Sequence, residues 1–333
     1  MLKIEKMKKI ILNLIFATVC ATTALPYASA QSLYERFDKA CENTDSLDYD
    51  EMEYCINEMR RLNDVSSERF IDEFNYYVFK SYYNSGIIMS TELPDEEGIK
   101  VQYEMTQDGE IEGYMYYIEK YDNTYADSAI MAIKEGIRLH PENLYMRFGH
   151  IHFLSLLKRW EDYTVAIENT LDYSKKIKNN WYYPGIDAPM DTVLIYSILE
   201  YESRLLDACE LTPETMEEDA ELTAMMRRIA QKMLDLYPDN GVQYNIMAVS
   251  YNAMDNYSQA LPWLLKAEKQ SPKDMIVLFN IVNTYNYLYD DKNVKKYLKK
   301  IKKYGDDELK EKAQKWIDEM KYVPNAERHY NYD

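Results

Sequence analysis

Four histidines in 333 residues leave little material for metal or acid–base chemistry. The one close pair, His150 and His152, is two residues apart. On a helix that spacing puts the rings on different faces, whereas a helical zinc pair needs i and i+4. No Gly-x-Ser-x-Gly turn presents a nucleophile, and 9 glycines leave little for a phosphate loop. The acidic runs Asp95-Glu96-Glu97, Glu217-Glu218-Asp219 and Asp290-Asp291 lack the glycine and alternating oxygen ligands of a calcium loop. The sequence therefore predicts no catalytic residue, no metal and no cofactor. A hydrolase working through carboxylates near residues 99–117 and 179–190 stands only as a third reading. Cys41 and Cys55 flank a polar turn between two helical segments, symmetric about residue 48. That symmetry sets them opposite each other, as a Cys41–Cys55 disulfide or as two buried small apolar residues. Cys209 is left over.

Composition narrows the class. Lys and Arg total 39 against 57 Asp and Glu, a net charge of −18. Such a chain repels phosphate backbones, so nucleic acid is not an expected partner. Few Gly and Pro argue against an all-β fold, which needs many tight turns. Residues 1–30 read as an export signal: Lys3, Lys6, Lys8 and Lys9, an apolar stretch Ile10–Ala21, then Ala28-Ser29-Ala30 for cleavage. The mature chain would begin at Gln31 and be periplasmic or secreted. Cys20 follows Val19 rather than a small residue, so a lipid anchor is not expected. No segment has the apolar length of a membrane span.

The elements come from periodicity. Pro238 and Pro272 stand 34 residues apart. Between them run Tyr244-x2-Met247-Ala248-x2-Tyr251, then Ala260-x3-Leu264 and Ala267. The next stretch repeats this with Leu278, Ile281, Val282, Tyr285, Val294 and Leu298, with Asp306 in the closing proline's place. This pattern resembles the tetratricopeptide repeat family, whose units are antiparallel helix pairs of this length. Tyr244 stands where the family has Trp and Ala248 where it has Gly. Small residues at Ala248 and Ala260 let the helices approach, and Pro262 implies a slight kink. Upstream, Ala129 to Pro141 keeps the spacing of Ala260 to Pro272. Further helices are expected at Asn143–Leu157, Glu161–Lys176, Thr192–Cys209 and Met216–Tyr237, with a loop at 179–190. Glu308–Lys321 reads as a capping helix.

One segment departs from helical spacing. Ile99, Val101, Tyr103 and Met105 alternate with polar residues, and Asp108-Gly109 follows before Ile111, so a β-hairpin is expected at about 99–117. The predicted fold is thus all-α, an α-α superhelix of tetratricopeptide-like solenoid type with this small insertion. It divides into the signal at 1–30, a helical region at 31–123, repeats with a cap at 124–321, and a tail at 322–333.

The resemblance implies a concave channel lined by first helices, in which peptides lie. Asn245, Val249 and Asn252 would face it from one unit, and Phe279, Asn283, Asn286 and Tyr287 from the next. The Lys and Arg of the family's carboxylate-gripping members are absent. The function expected is a non-catalytic scaffold binding another protein or peptide in the bacterial envelope. The alternative is a solenoid capturing glycan or peptide nutrients through some of its 33 tyrosines. Lys292, Lys295, Lys296, Lys299, Lys300, Lys302 and Lys303 form a basic helix face, read as a solvated surface or a dock for an acidic partner.

Overall fold

The computed structural model describes residues 28–42, 47–84, 88–92, 101–105, 111–116 and 119–320. Most of the expected signal, the run Asp95-Glu96-Glu97, the hairpin turn and the tail lie outside them. Among the described residues are thirteen helices and two small antiparallel sheets. The chain forms two compact units. The first runs to Phe153 and takes in Trp181–Ile186; the second holds Leu154–Asn180 and everything from Asp187.

In the first unit, α1 (Ala28–Cys41), α2 (Tyr49–Arg61), α3 (Ser67–Ser81) and α4 (Asn123–Leu139) precede α5 (Leu144–Leu156), within which the division falls. Asp48 caps α2 and Ser66 caps α3, each accepting from a first-turn N–H. In the α1–α2 hairpin Cys41 and Cys55 are both free thiols rather than a disulfide. The Asp48 N–H donates to the Ala40 carbonyl (3.2 Å), which centres the turn on residue 44, halfway between them. The Arg36–Glu51 ion pair agrees with that register. Residue 55 is then matched by Leu33 rather than Cys41, and Leu33 and Cys55 share the buried cluster with Phe37, Met52, Ile56 and Met59. Burial pushes the Cys55 thiol up to about 11, as befits a small apolar filler.

Helices α3 and α4 pack along each other, so a boundary at 123/124 would cut through a packed helix pair. Everything between them is an insertion. At its neck β1 (Tyr82–Asn84) pairs with β5 (Glu119–Tyr121), Tyr82 opposite Tyr121. Beyond it, β2 (Ile88–Ser90), β3 (Val101–Met105) and β4 (Ile111–Tyr116) form a sheet in the order β2-β4-β3. The hairpin is the one the alternation predicts, with a bulge between Glu104 and Met105. The third strand and the neck were not legible, because three-residue strands are too short to show period two. The Asp122 N–H donates to the Ser81 carbonyl (2.7 Å) and the Asp122 side chain then caps α4, so the chain re-enters helix where it left it. Gly136 of α4 is forced small: a Cβ there would meet Phe70 Cβ at 2.7 Å and Met146 Cε at 2.1 Å.

The second unit holds α6 (Trp160–Ile177), α7 (Met190–Asp207), α8 (Met216–Leu236), α9 (Gly241–Asn252), α10 (Tyr257–Gln270), α11 (Met275–Tyr287), α12 (Asp291–Tyr304) and α13 (Asp307–Glu319). Each helix from α8 onward packs on the next, the stacking of a helical solenoid. The repeat is strict at its end: α9 and α11 begin 34 residues apart, as do α10 and α12. Asn240 and Asp274 cap α9 and α11 identically, each accepting from two backbone N–H groups. The turns match too. Asp255 and Tyr289 take positive φ (52° and 59°), and the following N–H reaches back to Tyr251 and Tyr285. This is a Schellman closure in which the next residue also begins the following helix. The same closure recurs at Lys158, and at Asn63 the same hydrogen bonds end α2, with Asp64 two residues ahead of the Ser66 cap. None of the four uses glycine, so these turns leave no glycine signal in the sequence. Helix α10 runs unbroken through Pro262, whose side is exposed. Ala248, Ala260, Leu264, Ala267, Leu278, Ile281, Val282, Val294, Leu298 and Ile301 make the shared core, closed by Ala313 and Trp316 of α13.

Candidate functional site

Helix α9 buries Gln243, Met247, Ala248 and Ser250, which leaves Val242, Asn245, Val249 and Asn252 on its opposite side. Helix α11 buries Val277, Leu278, Ile281, Val282 and Thr284 and turns Ile276, Asn280, Asn283 and Tyr287 outward. The two outward strips meet through amides. Asn280 Nδ2 donates to Asn245 Oδ1 (2.9 Å), and Asn252 Nδ2 donates to the Thr284 hydroxyl (3.0 Å). That hydroxyl donates to the Asn280 carbonyl (2.8 Å). Asn245 and Asn280 each spend half an amide on the other, leaving Asn245 Nδ2 as donor and Asn280 Oδ1 as acceptor toward the face.

Of the residues expected at the channel, Asn245 and Asn252 are engaged with α11, and Val249, Asn283 and Asn286 are half-buried. Phe279 packs against the core. Tyr287 is 56% exposed and lies flat on Tyr257, rings 4.4 Å apart and 5° from parallel. Residues not anticipated are Asn280, Thr284, Tyr257 and Ile276, the last 68% exposed. Ile276 had a signal, since a large apolar residue directly after the cap falls outside the core spacing. Asn280 had none, because it replaces Ile246 in the repeat.

A buried carboxyl stands behind this face. Glu202 of α7 is fully buried and accepts from Gln243 Nε2 of α9 (2.8 Å); its Oε1 and Gln243 Oε1 have no partner. Burial pushes its carboxyl up to about 8, against a small opposing effect of the Gln243 bond. Beside α9, Arg227 lies over the Tyr251 ring (4.7 Å) and donates to the Ser250 carbonyl. Arg228 and Lys232 tie α8 to α6 through Glu161, Glu168 and Asp172.

The remaining candidates stand elsewhere. His150 is buried and His152 half-buried, and burial drives the His150 imidazole down to about 3. Asp191, beside the 179–190 loop, accepts from Tyr237 Oη (2.7 Å) and from Asn179. That loop puts Trp181 under Arg147 and bridges Asn143 with Tyr182 in the first unit. On α12, Lys300 pairs with Glu268, while Lys292, Lys296, Lys299 and Lys303 form an exposed row.

The fold and site define a helical-repeat protein with a small β insertion. No family model and no curated protein matches the chain. Solved structures similar to it include the crystal structure of MamA protein, at 15% identity over 63% of this chain and 91% of that one, TM-score 0.34. MamA 41-end from Desulfovibrio magneticus RS-1 is 9% identical over 60% and 90%, TM-score 0.31. The TPR2AB domain of yeast Sti1 in its pHSP90 complex is 11% identical over 90% and 98%, TM-score 0.27. Likenesses this slight carry no argument.

Proposed function

We propose that the protein is a non-catalytic scaffold that holds a peptide segment of another protein against the outward strips of α9 and α11. The observation that carries this is the Asn245–Asn280 amide pair, with one donor and one acceptor left over between Ile276 and Tyr287. A peptide backbone needs that alternation of donor and acceptor, and exposed apolar groups beside it anchor side chains. The proposal extends to an exported location on the strength of the basic, apolar and small-residue succession of 1–30. Sequencing the amino terminus of protein recovered from its native cell tests it, with Gln31 expected first and Met1 refuting export.

The groove is tested by a peptide array against the full chain and against Ile276→Glu/Tyr287→Glu, both folded by circular dichroism. Peptides held by the parent and released by the variant support the site. Equal retention by both refutes it. The stacked Tyr257–Tyr287 pair supports a second reading, a platform for a sugar ring. An oligosaccharide panel read by tyrosine fluorescence separates the two, since only the glycan reading expects a change there.

A further inference from the structure

Helix α12 carries a row of like charges that the fold leaves unpaired. Lys292, Lys296, Lys299 and Lys303 recur at helical spacing, which sets them on one face over about 16 Å. All four are exposed, in a chain of net charge −18. Lys300 pairs with Glu268 and Lys302 donates to Gln314, but the exposed four make no ion pair among the described residues. The cap carboxylate Asp290 acts on Lys292, and Lys296 and Lys303 lie over the rings of Tyr297 and Tyr304 (5.1 and 5.0 Å). Lys292 and Lys296, like Lys299 and Lys303, are i,i+4 neighbours of the same sign, an arrangement that weakens a helix. The buried stripe Val294, Tyr297, Leu298 and Ile301 holds the helix in spite of it. A row of carboxylates facing the lysines would remove the repulsion.

The same unit presents such carboxylates at the turn from α7 to α8. Between Arg204 and Arg227 the chain has seven acids and no base. Asp219 is buried; Asp207, Glu210, Glu214, Glu217, Glu218 and Glu221 are exposed, and none of these six carboxylates is bonded among the described residues. The helix dipole explains acids in the first turn of α8, but not Asp207, Glu210 or Glu221. Asp219 fixes the turn by accepting from the Glu210 N–H (3.0 Å), the Leu211 N–H (2.9 Å) and the Thr215 hydroxyl (2.8 Å). The turn so fixed holds Leu211 at φ 56° and 53% exposed, with Met216 59% exposed. Exposed apolar groups among charges give a contact surface its anchors. Tyr289 and Tyr304, both exposed, bracket the lysine row in the same way. Within one copy the two patches do not meet. Helices α8 to α12 pack in chain order, so α9, α10 and α11 stand between them, and no ion pair among the described residues joins them.

We propose that the lysine row of α12 docks the acidic α7–α8 turn of a second copy of this chain. Both patches belong to the second unit and neither is part of the α9–α11 face. At ~0.15 M salt, charges more than about 8 Å apart are screened, so the facing rows and not the net charges of two acidic copies decide the contact.

The test is sedimentation velocity of the full chain over a concentration series, with two charge-reversed variants. One carries Lys292→Glu, Lys296→Glu, Lys299→Glu and Lys303→Glu. The other carries Glu214→Lys, Glu217→Lys, Glu218→Lys and Glu221→Lys. All eight positions are exposed, and folding is checked by circular dichroism. The parent is expected to associate at ~0.15 M salt and to separate at ~1 M, where the screening length falls to ~3 Å. Each variant alone is expected to associate at least ~tenfold more weakly, since reversal sets like charges face to face. A mixture of the two is expected to associate again, because the acidic turn of one then meets the lysine row of the other. A parent that sediments as single chains throughout overturns the proposal. So does association that salt leaves unchanged, as apolar contact would, or a mixture that stays apart. Should a reversed chain fail to fold, the four Lys→Gln or four Glu→Gln changes at the same positions replace it, and parent-like affinity in either overturns the proposal. Leu211→Gly, which relieves the positive φ, is expected to weaken association several-fold without lowering the melting point, and unchanged affinity removes the turn from the contact. A parent that stays single while its lysine row binds phosphatidylglycerol vesicles gives the row to a lipid surface and overturns the second copy as its partner.

Discussion

Replacing Glu202 by Gln tests whether the contact between α7 and α9 is a proton-linked one. In the folded chain this carboxyl is fully buried with a single partner, and its pKa is pushed up to about 8 from an ordinary 4.5. Between those values the folded state holds a proton that the unfolded state has lost. Stability therefore falls as pH rises, by up to about 1.4 kcal/mol per pH unit. Allowing for partial titration near 4.5, the loss between pH 5 and pH 7 is roughly 2–3 kcal/mol. The protonated acid donates from an oxygen that otherwise has no partner, and the unused acceptor of the same pair is Gln243 Oε1. Glu202→Gln keeps the shape and the amide bond and removes the proton. The measurement is urea unfolding of both proteins at pH 5, 6, 7 and 8, followed by circular dichroism. The variant's advantage over the parent should grow by roughly 2–3 kcal/mol from pH 5 to pH 7. The difference between the two curves cancels every other titrating group. An advantage that stays flat within about 0.5 kcal/mol would refute a buried neutral acid at this position.

His150 should act in the opposite direction: with its imidazole held near 3, stability present above the ordinary 6.5 is lost as pH falls below it, and His150→Gln should flatten that acid limb in the same unfolding series. Gly136→Ala should destabilise the first unit by about 1–3 kcal/mol, because Phe70 and Met146 must move to admit a methyl group; a thermal midpoint within 1 °C of the parent's would contradict the tight crossing. Tyr289→Gly should stabilise by about 1 kcal/mol in urea, since φ of 59° strains a side chain and suits glycine. Asp274→Ala should cost about 1 kcal/mol by stripping the α11 cap of its two backbone bonds, and a cost no greater than for an exposed mid-helix Ala substitution would argue against that geometry.

Much of the fold was legible because helix pairing is a local matter. The apolar spacing around Ala248 and Leu264, the caps and the 34-residue step all act within one or two turns of chain, and the helices lie where that spacing puts them. The hairpin at 101–116 was legible for the same reason, from period-two alternation around Asp108-Gly109. Decisions that needed two distant segments to meet were not. The hairpin register moved the α1–α2 axis from residue 48 to residue 44, and four residues of shift separate Cys41 from Cys55. Helices α3 and α4 became partners across the inserted hairpin, and no local signal encodes that pairing.

The candidate sites divide the same way. Which side of α9 and α11 faces outward follows from periodicity, but Asn245, Val249, Asn283 and Tyr287 were named as channel residues only through the register that the tetratricopeptide resemblance implies. That Asn245 and Asn252 reach across to Asn280 and Thr284 depends on how closely two helices approach, a distance that no spacing encodes. Glu202 reads in the sequence as an ordinary helical acid. Only packing took water and counter-charges away from it, because burial and electrostatic environment are properties of everything brought around a residue rather than of the residue itself.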